Sequence, residues 1–314
     1  MRIFRKKRIG VALSGGSARA LAHIGVLEVL ESLGVEISAV SGTSMGAIIG
    51  SLYCSGVSLK EAEDYVSDMD WKSFLLFTDF AFNRMGIING KRVEEILDKF
   101  LDDKTFEDCQ KDFCCVAADI ITQKKVILNS GKLKEAVRAS ISIPGLFDPV
   151  RFKDMVLVDG GIIENLPTKA VKSLDVDFII ASSIVFDREN RESEFLSDMY
   201  GHMDEKNKKH SLPEREENIG SGELNRKKKD KFGIFKRKKP GSSRLSAYSV
   251  LDISFNIIHR EMIKSYLKNA DIVIEPEVGD YGFFDYVHGS EIIERGRKAA
   301  IKKIPEIKKK LHLR

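Results

Sequence analysis

The sequence predicts an α/β fold, a single domain of three layers in which helices flank a central, mostly parallel sheet. Three observations carry that prediction. Short apolar runs ending near glycine recur along the chain, the pattern of strands buried on both faces. Between them lie stretches with apolar residues every third or fourth position, the pattern of amphipathic helices. The two kinds alternate, as they do when crossover helices join parallel strands. With 43% hydrophobic and 31% charged residues, the 314-residue chain has enough apolar material for a buried core and is not a wholly disordered polymer. No run approaches the ~18 apolar residues that a membrane-spanning helix needs.

Ile9 to Leu13 is apolar apart from Gly10 and stops at Ser14-Gly15-Gly16, as a buried strand does before a turn. Residues 19–33 place Leu21, Ile24, Leu27, Leu30 and Leu33 at helical spacing, and Gly34 is suited to ending that helix. A strand over 35–40 and a helix over 47–54 follow. Further strands are predicted at 113–118, 125–128, 155–158, 178–184 and 272–274. Further helices are predicted at 59–67, 93–101, 132–139, 168–174, 250–267 and 290–304.

One segment breaks the alternation. Residues 187–225 hold 11 acidic and 6 basic residues, and 226–239 hold 9 basic and 1 acidic. The net charge of +4 therefore resides in a local basic block. With almost no apolar periodicity, 187–245 reads as a charged, disordered insertion into a domain formed by 1–186 and 246–314. At the amino terminus, five basic residues precede Ile9 to Leu13 in the outline of a secretory leader. The apolar run is shorter than the roughly 7–15 residues such a leader needs, so no cleaved leader is expected. Cys54, Cys109, Cys114 and Cys115 fit no metal-ligand spacing and read as reduced thiols of a reducing compartment.

The sharpest chemical feature is Gly42-Thr43-Ser44-Met45-Gly46, between a predicted strand and a predicted helix. A serine at such a turn is held in a strained conformation with its hydroxyl above the sheet, and the flanking glycines let strand and helix approach. The helix beginning there aims unpaired N–H groups and its positive dipole end at the hydroxyl. A glycine-rich turn that only packs closely is the other reading of the same residues.

A serine nucleophile needs a base. Asp159 ends an apolar strand and enters Gly160-Gly161, where α/β sheets present functional groups. A turn-forming aspartate before glycine is the plainer reading. With an ordinary pKa of about 3.9, Asp159 would need burial or contact with the serine hydroxyl to gain basicity. Asp119 is the rival carboxylate, also at a strand end but with no glycine turn beside it. Of the histidines, His202 and His210 lie in the charged insertion, His312 at the carboxyl end, His23 and His259 in predicted helices, and His288 in a loop. None sits in a strand-end loop with a carboxylate nearby. A Ser-Asp pair is therefore preferred to a Ser-His-Asp triad, for which His288 is the remaining candidate.

An oxyanion formed at the serine needs donors. Ser14-Gly15-Gly16-Ser17-Ala18-Arg19 joins the first strand to the first helix, and the N–H groups of Gly15, Gly16 and Ser17 suit negative charge at a helix N-terminus. Arg19 would brace this loop or bind a phosphate head group. There is no G-x-x-x-x-G-K-[ST] and no G-x-G-x-x-G, so neither a P-loop nor dinucleotide binding is expected. The scheme needs no metal and no other cofactor.

Together these motifs resemble the patatin-like phospholipase family. Gly15-Gly16-Ser17-Ala18-Arg19 resembles its glycine-rich oxyanion motif, Gly42 to Gly46 its nucleophile elbow, and Asp159-Gly160-Gly161 its D-G-[GA] motif. Similarity also runs through 22–27, 139–147 and 270–276, and covers about 8–186 and 246–300. The resemblance implies a Ser44–Asp159 dyad, backbone N–H groups around Gly15, Gly16 and Ser17 holding the oxyanion, and hydrolysis of phospholipid or lysophospholipid acyl esters. Ser17 and Ala20 stand where many members have glycine. Acyl transfer, hydrolysis of non-lipid esters, and a lipid- or partner-binding regulator with a dormant elbow are the competing readings.

A lipid substrate needs an apolar slot. Residues 71–82, WKSFLLFTDFAF, read as a lid or acyl-binding wall, with ordinary core packing as the other reading. The basic block 226–239 reads as a solvated linker or as a contact for an anionic membrane surface, with Phe232, Ile234 and Phe235 entering the interface. Nucleic acid is the least favoured partner. The expected location is the cytoplasm, at the membrane periphery if the block engages lipid. The sequence assigns no oligomeric state.

Overall fold

Short runs of branched and small apolar residues build eight strands among the described residues: β1 (Ile9–Leu13), β2 (Ile37–Thr43), β3 (Asp112–Asp119), β4 (Lys124–Leu128), β5 (Val150–Phe152), β6 (Met155–Asp159), β7 (Phe178–Ser182) and β8 (Ile272–Ile274). They form one sheet in the order β5-β6-β3-β2-β1-β7-β8, with β4 also on β3. The pairings among β3, β2, β1, β7 and β8 are parallel, whereas β3–β4, β3–β6 and β5–β6 are antiparallel. This computed structural model describes residues 6–68, 91–184 and 247–313.

Nine α-helices accompany the strands among those residues: α1 (Ala22–Ser32), α2 (Met45–Cys54), α3 (Leu59–Asp68), α4 (Lys91–Leu101), α5 (Leu133–Ser140), α6 (Gly161–Glu164), α7 (Thr168–Lys172), α8 (Ala247–Leu267) and α9 (Gly289–Leu311). They cover both faces of the sheet. Val11, Leu13 and Ile180 pack with residues of α1, α2 and α9, while Ala12, Ile179 and Ala181 pack with Leu166, Val171, Ile263 and Tyr266. Both faces being dry explains why β1 and β7 are continuous apolar runs instead of alternating ones. On the first face, α1 and α9 touch backbone to backbone: a Cβ on Gly296 would stand 1.9 Å from Ala22 O.

The chain divides into two units, Met1–Phe186 with Leu251–Arg314, and Asp187–Val250. All of the second but 247–250 lies outside the described residues, and with it the readings of 187–245 as a disordered insertion and of 226–239 as a membrane contact. The lid or wall expected at 71–82 also lies outside them. Among the described residues, no helix is long and apolar enough to cross a membrane. Cys54, Cys114 and Cys115 are buried free thiols, and Cys109 is a partly buried one.

Three elements depart from the sequence-based expectation for physical reasons. Strand β2 continues past Val40 to Thr43, because Ser41 Oγ and Thr43 Oγ1 find buried acceptors in Pro167 O at 2.7 Å and Glu164 O at 2.9 Å. The first helix opens with a 3-10 turn, Ser17–Leu21, before α1 begins. Helix α9 runs through Pro305 to Leu311, held by the fully buried Ile307 beyond the proline. The short β5 and α6 span three and four residues, too few to leave a periodic signal.

One set of pairings positions everything that follows. Val116 of β3 pairs with Thr43 of β2 on one side and Ile127 of β4 on the other. Its neighbour Ala117 pairs with Asp159 of β6 and with Val126 of β4. Strand β4 thus occupies one edge of β3, while β2 and β6 meet end to end along the other. The residue after Thr43 and the last residue of β6 are brought together there.

Candidate active site

Those two residues are Ser44 and Asp159. Ser44 has φ 55° and ψ −126°, a conformation that strains any residue with a Cβ. The elbow is tight enough to require its glycines: a Cβ on Gly42 would lie 2.3 Å from Gly46 O, and one on Gly46 would lie 2.4 Å from Leu13 O. The Ser44 carbonyl receives the N–H groups of Ala47 and Ile48, so α2 starts directly behind the hydroxyl.

A single short segment holds both residues by their backbones. Ser44 N–H donates to Ser140 Oγ at 3.1 Å, and Ser140 Oγ donates onward to Val116 O at 2.7 Å. Asp159 N–H donates to Ser142 O at 2.9 Å.

Asp159 is 4% exposed. Its Oδ1 accepts the Gly161 N–H at 2.7 Å, while Oδ2 is buried and has no partner in ordinary hydrogen-bond geometry. Burial raises its pKa to about 6, against the smaller opposing effects of the Ser44 hydroxyl and the Gly161 N–H. The Ser44 hydroxyl is thus close enough to the carboxyl to act on its pKa.

The rival carboxylate has another task. Asp119 accepts from Thr122 Oγ1 at 2.6 Å and from the N–H groups of Ile121, Thr122 and Val156, and these bonds, the Thr122 hydroxyl first, lower its pKa to about 2. It holds the β3–β4 turn and the start of β6. His288, the candidate third member of a triad, pairs with Asp285 at 2.5 Å on the exposed start of α9 and does not line the cavity.

At the loop before α1, the structure separates the three expected oxyanion donors. Gly15 N–H already donates to Asn165 O at 3.1 Å, so of the three it is spent, while Gly16 and Ser17 also line the cavity. Ser17 carries φ 50°, and its hydroxyl is tied to Tyr286 Oη at 2.8 Å, so a residue with a Cβ is accommodated here. His23 pins the loop from below: it bridges Ser14 O and Ser182 Oγ, each at 2.8 Å, and burial lowers its pKa to about 4. The neutral ring donates from Nε2 to the carbonyl and accepts at Nδ1 from the hydroxyl. Arg19 lines the cavity and braces it, donating from Nε to Tyr281 O at 2.7 Å and from Nη1 to Asn256 Oδ1 at 3.3 Å.

Ser44 lies where two arms of the cavity meet. The more polar arm is lined by Gly15, Gly16, Ser17, Arg19, Asp159, Gly161, Asn165, Asn256 and His259, together with the apolar Ile143, Ile184 and Phe283. The other is lined by Met45, Ile48, Val93, Ile141, Ile143, Phe147, Phe283, Phe284 and Tyr286. Sequence reasoning missed Asn165, Asn256 and His259. A signal for two of them existed: Asn256 and His259 continue, one turn earlier, the same helical stripe as the buried Ile263 and Tyr266. It also missed the apolar wall formed by Ile141, Ile143 and Phe147, although their segment had been singled out.

The raised pKa of Asp159 links the site to stability. A buried acid with a folded pKa of about 6 stabilises the fold fully below its unfolded value, and that contribution is lost as pH rises through 6. Asp159→Asn, which carries no charge at any pH, should therefore stabilise the protein at pH 8 by on the order of 1–3 kcal/mol, and by much less at pH 4. Urea unfolding at the two pH values measures it. Equal effects at both would contradict the burial of a charged carboxylate.

Comparison with known proteins gives the chain a family. Residues 11–172 match the family model described as patatin-like phospholipase. An uncharacterized NTE family protein of Mycobacterium tuberculosis is 31% identical over 177 residues, 56% of this chain and 49% of the relative. Lysophospholipase NTE1 of Pyricularia oryzae is 35% identical over 192 residues, 57% of this chain and 12% of that protein. The chain spans about half the length, or less, of these curated relatives. Among solved structures, VipD from Legionella pneumophila aligns with 96% of this chain and 67% of its own at 15% identity and a TM-score of 0.43. With the family model covering half of its length, and the elbow, glycine loop and D-G-G turn folded around one cavity, the chain belongs to the patatin-like phospholipase family.

Proposed function

We propose that the protein is a lipid acyl hydrolase of the phospholipase A or lysophospholipase kind, working through a Ser44–Asp159 dyad. The observation that carries this reading is the Ser44 hydroxyl beside a buried carboxyl of raised pKa, at the junction of an apolar and a polar arm. Asp159 takes the hydroxyl proton as Ser44 Oγ attacks the ester carbonyl. The oxyanion is held by the Gly16 and Ser17 amides, joined by the N–H of Met45 at the start of α2. Asp159 then gives the proton to the leaving alcohol as the C–O bond breaks. Water attacks the acyl-enzyme, again losing a proton to Asp159, and Ser44 regains it as the acid departs.

The two arms suit the two ends of a lipid. An acyl chain laid along Ile141, Ile143, Phe147 and Phe284 gains about 0.8 kcal/mol for each buried methylene. Arg19, Asn256 and His259 offer the opposite end a polar surface fit for a glycerophosphate head group. The name of the lysophospholipase relative supports the same substrate class.

A fluorophosphonate probe should label the wild type and fail on Ser44→Ala, whose lysophospholipid hydrolysis should fall at least on the order of 10³-fold. A folded wild type that neither labels nor hydrolyses would overturn this reading in favour of a lipid-binding regulator. Products that appear as new esters instead of free acid would favour acyl transfer.

Membrane contact through 226–239 belongs to the same proposal, because nine basic residues in that block would be drawn to anionic lipid at about 1 kcal/mol each at best. Co-sedimentation with anionic but not neutral vesicles, lost when 226–239 is deleted, is the expected result. Equal binding to both kinds of vesicle would contradict it.

A further inference from the structure

The loop before α1 is gripped from the far end of the chain. Three successive residues of it are bonded to the stretch between β8 and α9. Ser17 Oγ pairs with Tyr286 Oη at 2.8 Å, Ala18 N–H donates to Phe283 O at 3.0 Å, and Arg19 Nε donates to Tyr281 O at 2.7 Å. The last two bonds end on backbone carbonyls. Only the Ser17 bond joins two side chains, so it alone depends on the residue type at both of its ends.

Ser17 needs such a bond for two reasons. Its φ of 50° lies in the left-handed region, which glycine enters freely and serine seldom. In addition, an amide kept for substrate cannot anchor its own residue. Gly15 and Ala18, on either side, are fixed through their N–H groups, whereas Ser17 is fixed through its hydroxyl. Ser17 is 6% and Tyr286 7% exposed, so water competes little for the bond. The tyrosine is itself firmly placed. It opens the 3-10 turn Tyr286–His288 that runs into α9. The start of α9 is so close to its neighbours that a Cβ on Gly289 would stand 2.5 Å from Val66 Cγ1 and 3.3 Å from Leu21 Cδ1. Leu21 ends the turn that Ser17 begins.

We infer that Tyr286 is a positioning residue for the oxyanion hole, its hydroxyl tethering Ser17 in the left-handed conformation that presents the Ser17 amide to substrate. The inference rests on the oxyanion role given above to the Gly16 and Ser17 amides. It belongs to a chain that carries a side chain at this position. Glycine at 17 would hold the same backbone at little cost and offer nothing to tether. In this role Tyr286 touches no reacting atom and moves no proton. Without its hydroxyl Ser17 relaxes, and the developing oxyanion loses part of one donor. The tyrosine ring, which lines the apolar arm, is not needed for this effect.

The test follows kcat and KM for p-nitrophenyl butyrate through a double-mutant cycle. Tyr286→Phe keeps the ring and removes the hydroxyl, and Ser17→Ala keeps the Cβ and removes the other half of the pair. Each should lower kcat about tenfold at a nearly constant KM, and the two together should fall no further than either alone. Glycine gives the decisive contrast. In a Ser17→Gly background, Tyr286→Phe should lower kcat by less than about twofold, because no tether remains to be lost. Should Tyr286→Phe fail to fold, Ser17→Gly against Ser17→Ala decides, with the glycine variant expected to be the faster and equal rates overturning the tether. Turnover insensitive to Ser44→Ala would sink the dyad reading itself. Ser44-dependent turnover that Tyr286→Phe slows equally in the serine and glycine backgrounds, or in neither, would overturn the tether alone and assign Tyr286 to packing. A raised KM with kcat intact would also overturn it, placing the hydroxyl's role in acyl binding.

Discussion

Ser44 and Asp159 stand on strands that never pair with each other, yet both are hung from the segment that follows α5. Ser140 receives the Ser44 N–H, Ser142 receives the Asp159 N–H, and Ser140 is itself tied to Val116 of β3. The end-to-end meeting of β2 and β6 on one edge of β3 makes this clamp possible, since it leaves both strand ends facing the same short stretch of chain. Remove that geometry and neither the elbow nor the carboxyl has a reason to be where it is. The arrangement carries a standing cost. A positive φ at Ser44 is worth about 1–3 kcal/mol of strain, and ionising a carboxyl whose pKa is raised to about 6 costs a comparable amount. Two dry sheet faces and the close α1–α9 contact supply the rigidity that keeps such a site from relaxing.

The same segment also shapes the apolar arm. Ile141 and Ile143 alternate with Ser140 and Ser142, so alternate residues line the slot and hold Ser44 and Asp159.

Much of this was legible in the sequence because it is local. The apolar run of β1, the glycine spacing around Ser44 and the Asp159-Gly160-Gly161 turn each state their geometry within a few residues. What failed to show depends on partners far away along the chain. Nothing around Gly15 reveals that its amide is taken by Asn165, and nothing near Ser41 and Thr43 reveals the carbonyls of Pro167 and Glu164 that let β2 continue. Asp119 looked like Asp159 until four donors were found around it. His259 carries no motif in the sequence, because a helix entering the site from the far end of the chain leaves none behind. Asn256 and His259 do interrupt an otherwise apolar stripe, which is the one local sign of their position.

The central claim is that the Asp159 carboxylate is the base that activates Ser44, and the rate of acylation as a function of pH addresses it most directly. Stopped-flow bursts with an activated ester should follow a single ionisation near pH 6, falling as the carboxyl is protonated below it. Asp159→Asn should lose on the order of 10²–10⁴ in that rate together with the inflection. An asparagine variant that acylates as fast as the wild type, with the same dependence on pH, would contradict the account.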